Sequence, residues 1–427
     1  MRPEPLNLNI RGLGLSSTVG INELSLRMIQ EGRPVHRLGL GQSPFPVPDP
    51  VVEALRLNAS RKEYLPVRGL WELREAVADY HRRRNGLGAS GDDVLIGPGS
   101  KELMFLLQLV YYGDLVIPTP AWVSYAPQAQ IVGRRVCALP CRQSNDWRLE
   151  PSQLESLCRE DPGRPRIVVL NYPGNPTGLT YTAAELETLA RVARNYGLLL
   201  LSDEIYGELH HRGAHVSIAR YYPEGTIVSS GLSKWCGAGG WRLGTFTFPQ
   251  DLKWLADSMA SVASETYTST SAPIQYAAVS AFRGGSVIER YLWLARRILS
   301  ALGESLQRRL EEANVQPPAP TGGFYLFPDF AAWRNRLETR GVFTSEDLAR
   351  RLLEEVSVAV LPGAAFGRPP EELTIRIAYV DFDGARAMAA LETMPPDWPV
   401  DEAFLSTYCG AMTRAIDLIC TWLEKGT

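Results

Sequence analysis

The period of the apolar positions changes near residue 94. Before it, helical spacing appears at 51–58 and again at 70–84, while residues 1–50 hold no sustained pattern. The stretch SPFPVPDP at 43–50 spaces its prolines too closely for a helix to run through it, so an extended arm and a connector are expected. From 94 onward, short β-branched or leucine-rich runs alternate with longer amphipathic ones. The short runs lie at 94–96, 115–117, 135–138, 167–170, 198–201, 227–229 and 244–248. Several are apolar without alternation, the pattern of strands covered on both faces. The stretches between them, such as 183–196, have the spacing and length of helices. This repetition predicts an α/β layer, with a mostly parallel seven-stranded sheet flanked by helices.

The texture then changes again. Long helical patterns at 271–283 and 287–313 end at the Pro-rich segment 316–320. Strands are expected at 324–327, 357–361 and 374–379, with helices at 345–356 and 384–391. These elements predict a smaller α+β domain formed by the N-terminal arm and the C-terminal part. The tail, 401–425, places Leu405, Tyr408, Met412, Ile416, Ile419 and Leu423 on one face, so one amphipathic helix packed on that domain is expected. The expected division is an arm with part of the small domain (1–49), a large domain (50–297), and a small C-terminal domain with an extra helix (298–427).

Composition narrows the function. Lys and Arg number 44 against 47 Asp and Glu, a net charge of −3. That balance argues against nucleic-acid binding by non-specific charge and against a basic membrane-surface protein. No apolar run approaches the roughly 18 residues of a membrane span, and the run at 103–112 is interrupted by Gln108. The N-terminus lacks a basic segment followed by an apolar one, so no secretory signal is expected. The six cysteines form no C-x-x-C pair and there are only five histidines, so no metal site is expected. Reduced thiols in the cytoplasm are the simplest reading.

No phosphate loop, nucleophile elbow or zinc-protease helix motif is present. Four polar segments fall instead where strands of an α/β sheet end, the place where such folds bind ligands. In GPGSKELMFLL (97–107) a glycine turn opens a helix at Ser100 and Lys101, which suits a phosphate and equally an ordinary capped turn. In LLLLSDEIYGE (198–208) a buried strand ends at Asp203, a contact for a ligand cation or a simple turn cap. In SSGLSKWCGAGGWRLG (229–244) Lys234 lies among small and apolar residues, as a partly desolvated nucleophilic amine or a surface lysine. Arg242, eight residues on, pairs with a phosphate or with a surface carboxylate. The fourth segment, RIVVLNYPGNPTG (166–178), reads alone as a strand and a turn.

The order and spacing of the four together resemble the class I/II pyridoxal-phosphate aminotransferases, of the aspartate aminotransferase fold type, over about residues 16–393. The resemblance implies that Lys234 carries pyridoxal 5'-phosphate as a Schiff base. It implies that Asp203 keeps the pyridine nitrogen protonated, and that Tyr206 and Asn175 hydrogen-bond the phenolic oxygen. Gly99, Ser100, Lys101 and Arg242 match the phosphate cup, Trp122 the residue that stacks on the ring, and Tyr64 a residue reaching the neighbouring subunit's phosphate. Arg376 in LTIRIAY matches the arginine that grips the substrate α-carboxylate, with Gly41 in the loop closing over it. A homodimer with shared active sites follows from the match at Tyr64.

On this resemblance the expected activity is ping-pong transfer of an amino group from an L-amino acid to a 2-oxo acid, with Lys234 as general base. A lyase, synthase or oxidase using the same site is the alternative, and a cofactor-binding regulator is a more distant one. Two departures stand out. Gly231 occupies the position, three before the lysine, where the family usually has a hydroxyl on the phosphate; Ser230 and Ser233 are the candidate substitutes. The tail beyond 395 exceeds what the family needs. No arginine lies in SETYTSTSA (264–272), where dicarboxylate-specific members carry one, so an aspartate preference is not expected; Phe45, Tyr125 and Tyr267 suggest either a pocket tolerant of apolar or aromatic side chains or core and rim packing.

Overall fold

The computed structural model describes residues 6–425; the ends of the expected arm (1–5) and of the last segment (426–427) lie outside the described residues. Seven strands form the main sheet in the order Val94–Gly97, Gly244–Thr247, Thr226–Gly231, Leu199–Asp203, Arg166–Asn171, Asp114–Thr119, Val136–Pro140. All run parallel except Gly244–Thr247, which is antiparallel to both neighbours. The apolar runs give the central strands no solvent-facing side: every residue of Leu199–Asp203 and Thr226–Gly231 is buried. Helices cover one face with Leu103, Leu107, Leu255 and Met259. Leu154, Leu186, Leu189 and Ala193 cover the other.

Beyond this sheet, Leu361–Pro362, Ile375–Ala378 and Tyr325–Leu326 form a three-stranded antiparallel sheet. The arm joins this part of the molecule through His36–Arg37, which pairs in parallel with Val358–Ala359. The helix Ser286–Glu312 runs unbroken through the expected boundary at 297/298, so one rigid rod connects the two regions. One apolar core, including Leu38, Leu73, Leu292, Phe324 and Ile416, extends across both.

Two local expectations are corrected. The arm is not irregular throughout: Ser17–Gln30 is a helix. It buries only Ser25 and Met28 and exposes Val19, Leu24, Leu26 and Ile29, so its sequence has no one-sided apolar stripe to detect. The tail is two helices, Glu402–Tyr408 and Gly410–Glu424, broken at Cys409, with the Asp401 side chain capping Phe404 N–H. The predicted apolar face is nevertheless buried at Leu405, Met412, Ile416, Ile419 and Leu423. Pro50 falls in the first turn of Asp49–Asn58, where its missing N–H removes no helical bond.

The tail is therefore part of the core. Replacing the fully buried Ile416 by Ala is expected to destabilise the protein by about 2–5 kcal/mol, the range for truncating a buried aliphatic side chain. Chemical denaturation monitored by circular dichroism checks this; an unchanged midpoint would show that the tail contributes no packing.

Candidate active site

A cavity of about 460 Å³ opens where the central parallel strands end. The leucine run 198–201 drives its strand into the core, which fixes the strand's last residue, Asp203, at the cavity with 3% of its surface exposed. Tyr125 Oη donates to Asp203 Oδ2 at 2.6 Å and Ser229 Oγ to Oδ1 at 3.3 Å. Burial pushes the Asp203 carboxyl up to about 6, against the hydrogen bonds from Tyr125, the Ile205 backbone and Ser229.

On the neighbouring strand, Asn171 ties two parts of the site together. Its Nδ2 donates to the Asp203 carbonyl at 2.9 Å, and its Oδ1 accepts from Asn175 N–H at 2.8 Å. That clamp holds the N-P-T-G turn against the end of the adjacent strand. Asn175 Oδ1 in turn accepts from Arg376 Nη1 at 3.1 Å.

Lys234 follows the strand Thr226–Gly231, between the buried Leu232 and Trp235. Its Nζ donates to the Gly41 carbonyl at 2.6 Å and lies 5.5 Å from the centre of the Tyr206 ring. Burial pushes its amine down to about 8, helped by the Arg376 charge and opposed by Asp203. Gly41 has to be glycine, because a Cβ there would overlap the Tyr325 hydroxyl.

Arg376 sits on Ile375–Ala378 with 1% of its surface exposed. Besides Asn175 it donates to the Gly39 carbonyl through Nη2, while Nε has no partner. Its guanidinium lies 4.8 Å and 5.1 Å from the ring centres of Tyr325 and Phe366. Among the described residues no carboxylate pairs with it.

At the other end, helix Ser100–Val110 points its N-terminus toward the cavity. Gly99 adopts φ +96°, and a Cβ there would run into the Arg242 guanidinium. Arg242, itself left-handed at φ 56°, donates to the carbonyls of Gly239 at 3.0 Å and Pro98 at 3.3 Å. Gly231 also has a steric reason: its Cβ would stand 2.7 Å from the Leu243 carbonyl on the adjacent antiparallel strand. A serine fits there only if that strand moves. Ser233 borders the cavity and Ser230 does not.

Of the residues singled out in sequence, Gly41, Ser100, Lys101, Trp122, Asn175, Asp203, Tyr206, Ser233, Lys234, Arg242 and Arg376 all border this one cavity. Gly99 lies just behind it, under Arg242. Tyr64 is outside it and 88% exposed. Trp122 meets the edge of Tyr125 with centroids 5.2 Å apart, and the Lys101 ammonium lies 5.1 Å from the Trp122 ring.

The suggested aromatic substrate pocket is not there, since none of its three rings borders the cavity. Phe45 packs in the core against Tyr291 and Phe382. Tyr125 is spent on Asp203, and the Tyr267 hydroxyl bonds the Ile96 carbonyl at 3.3 Å. Sequence reasoning missed Asn171, Tyr325, Gln42, and Ser16 and Thr18 from the unrecognised helix. Only Asn171 had a signal, as the polar residue ending an apolar strand.

The wall carries four cations (Lys101, Lys234, Arg242, Arg376) against one carboxylate, Asp203. Lys101 and Arg242 stand at the helix N-terminus, while Lys234 and Arg376 line the cavity with Asp203. This donor set fits pyridoxal phosphate: a phosphate at the helix end, a protonated ring nitrogen at Asp203, and an amine at Lys234.

The sequence model of the family described as aminotransferase class I and II matches residues 33–389. An aspartate aminotransferase of Geobacillus stearothermophilus is 32% identical over 401 residues, spanning 90% of this chain and 95% of that protein. An aspartate/prephenate aminotransferase of Thermus thermophilus is 31% identical over 382 residues, spanning 88% and 94%. The solved structure of the aspartate aminotransferase from Thermus thermophilus with maleate superposes with a TM-score of 0.83 at 27% identity, covering 98% of this chain and 99% of that one. The chain belongs to the class I and II aminotransferases, and it is a pyridoxal-phosphate-dependent transaminase.

Proposed function

We propose that the protein moves an amino group from an L-amino acid to a 2-oxo acid by a ping-pong cycle, with Lys234 as the covalent attachment point of pyridoxal phosphate. The observation that carries this reading is the convergence of Lys234, Asp203 and Arg376 on one cavity from three distant parts of the chain. Bound there, the cofactor supplies an electron sink for the bond broken at the substrate Cα.

The chain's own residues do the rest. Arg376 grips the α-carboxylate with a guanidinium that Asn175 and Gly39 already orient. That grip would hold the Cα hydrogen toward Lys234, whose Nζ, freed once the substrate's own amine displaces it from the cofactor, would take the proton and return it at the other end of the transfer. Asp203 holds a proton on the ring nitrogen from a buried site, where the charge pair counts for more than in water. The Tyr206 hydroxyl donates to the phenolic oxygen. The helix start at Ser100 and Lys101, with Ser233 and Arg242, binds the phosphate. Release of the donor's 2-oxo acid leaves the amino group behind for the acceptor.

Aspartate is the donor we favour, because the relatives named above are aspartate and aspartate/prephenate aminotransferases. The segment 264–272 lacks the arginine that dicarboxylate-specific members carry, so the second carboxylate of aspartate would have to be answered by the cations already on the cavity wall. A homodimer is supported by the exposure of Tyr64, together with bare apolar side chains on the arm such as Leu8 and Leu15, at 73% and 74%. A cytoplasmic location is supported by six free cysteines.

Three measurements test this reading. Aspartate added without acceptor to the cofactor-loaded enzyme should bleach its visible band in a single turnover, faster than phenylalanine does. The Lys234→Ala variant should lose turnover by at least about 1,000-fold. A persistent band with ammonia accumulating would replace transamination by elimination or oxidation.

Second, acetylation of Lys234 by acetic anhydride in cofactor-free protein, followed by peptide mass spectrometry, should rise with a midpoint near pH 8. The amine is protonated and inert below that pH and neutral above it; a midpoint at the ordinary 10.5 would remove the desolvated amine from the mechanism. Third, sedimentation should give a dimer, and Tyr64→Phe should weaken cofactor binding about 10-fold, the loss of one charge-assisted hydrogen bond. An active monomer would refute the shared site.

A further inference from the structure

Tyr325 is buried to 1% and borders the cavity beside Tyr206. The two hydroxyl oxygens are 2.8 Å apart. Among the described residues, neither hydroxyl has another hydrogen-bond partner. Two phenols carry two protons, and the single bond between them uses one. The other O–H has no acceptor within the protein and is left for whatever occupies the cavity.

Which phenol keeps the spare proton follows from their surroundings. Burial raises both, but the Arg376 guanidinium, 4.8 Å from the Tyr325 ring centre, pulls Tyr325 back. Tyr206 is pushed higher still by Tyr325, against Arg376, with a smaller upward push from Asp203. The remaining charge facing it is Lys234, 5.5 Å from its ring centre. The more acidic phenol is the better donor, so the bond runs from Tyr325 to Tyr206.

Packing holds the two oxygens together. Tyr325 meets Tyr206 edge-on at 5.6 Å and Phe324 at 4.9 Å, and the Gly41 loop closes over its hydroxyl. The Tyr325 ring has no room to swing its oxygen away.

We propose that Tyr325 is a positioning residue, whose hydroxyl donates to Tyr206 Oη and so reserves the Tyr206 proton for the phenolic oxygen of bound pyridoxal phosphate. This rests on the role of Tyr206 given above. A donor that itself accepts a hydrogen bond is polarised, and gains roughly 10–30% in strength.

The test reads the pH at which the visible band of the cofactor-loaded enzyme changes. Donation from Tyr206 favours the ionised phenolic oxygen, so Tyr206→Phe should raise that midpoint. Tyr325→Phe should raise it too, by about 0.1–0.7 unit, the 10–30% that polarisation adds to one hydrogen bond to a charged oxygen. Replacing Tyr325 by 3-fluorotyrosine, a more acidic phenol of nearly the same shape, should lower it. That second substitution decides the matter even where the Phe variant folds poorly. The double variant Y206F/Y325F should match Y206F alone. A midpoint unmoved by either change at Tyr325, or a full additive effect in the double variant, overturns the relay while leaving Tyr206 in place. No shift in Y206F itself removes the role of Tyr206, and the relay with it.

Discussion

Arg376 is a cation sealed in the interior without a carboxylate. Leaving such a charge unpaired costs several kcal/mol unless dipoles answer it. Here they are the Asn175 side-chain carbonyl and the Gly39 backbone carbonyl, with two aromatic faces beneath. Much of the site's layout follows from that requirement. Asn175 has to be held at the end of the parallel sheet, which Asn171 does, and Gly39 has to be brought in from the arm. A carboxylate partner would have made the charge cheaper to bury, but would also have filled the position that a substrate carboxylate takes. The same holds for Lys234, whose one hydrogen bond among the described residues is to the Gly41 carbonyl. Neutral acceptors orient both cations while leaving their charge uncancelled, so the cavity favours anions.

Close approach of backbone is the second requirement, and it explains why the cavity is rich in glycine. Gly41 admits the Tyr325 hydroxyl and Gly99 admits the Arg242 guanidinium. Gly231 is the instructive case. In sequence it looked like the loss of a phosphate ligand. In space a Cβ there would press on the Leu243 carbonyl and Gly244 Cα, so glycine there is a packing solution, and Ser233 remains on the wall to offer a hydroxyl.

What was legible in the sequence was whatever is local and repeated. The seven apolar runs gave the sheet, because strands buried on both faces need no alternation to be recognised. Asp203 and Lys234 stood out because each follows such a run; Asn175 reads alone as part of a turn, and it and Arg376 were singled out by the match of their motifs to the family's. Partners across the fold were not. Tyr125 was read as a pocket wall because aromatic rings near a site suggest one, yet its hydroxyl is committed to Asp203, 78 residues away in sequence. Tyr325 carried no signal at all: its partner Tyr206 is 119 residues distant, and only the fold joins them. Helix Ser17–Gln30 escaped because its apolar residues face outward as well as inward.

The tail acquires a meaning from the same geometry. Helix Gly410–Glu424 packs against Ser286–Glu312, Ser345–Val356 and the strand His36–Arg37. Arg309 binds Asp417 across the first contact, and Trp422 donates to Glu355 at 2.7 Å across the second. The third contact matters for the site. His36–Arg37 continues within a few residues into Gly39 and Gly41, whose carbonyls hold Arg376 and Lys234. That strand is only two residues long and pairs on one side alone, with Val358–Ala359. An edge so short contributes little stability by itself. A helix laid against it backs the two-residue ladder, and so helps fix the arm from which the two carbonyls project. Chemistry at the cavity does not demand the extra length; positioning two backbone oxygens on a weak edge does.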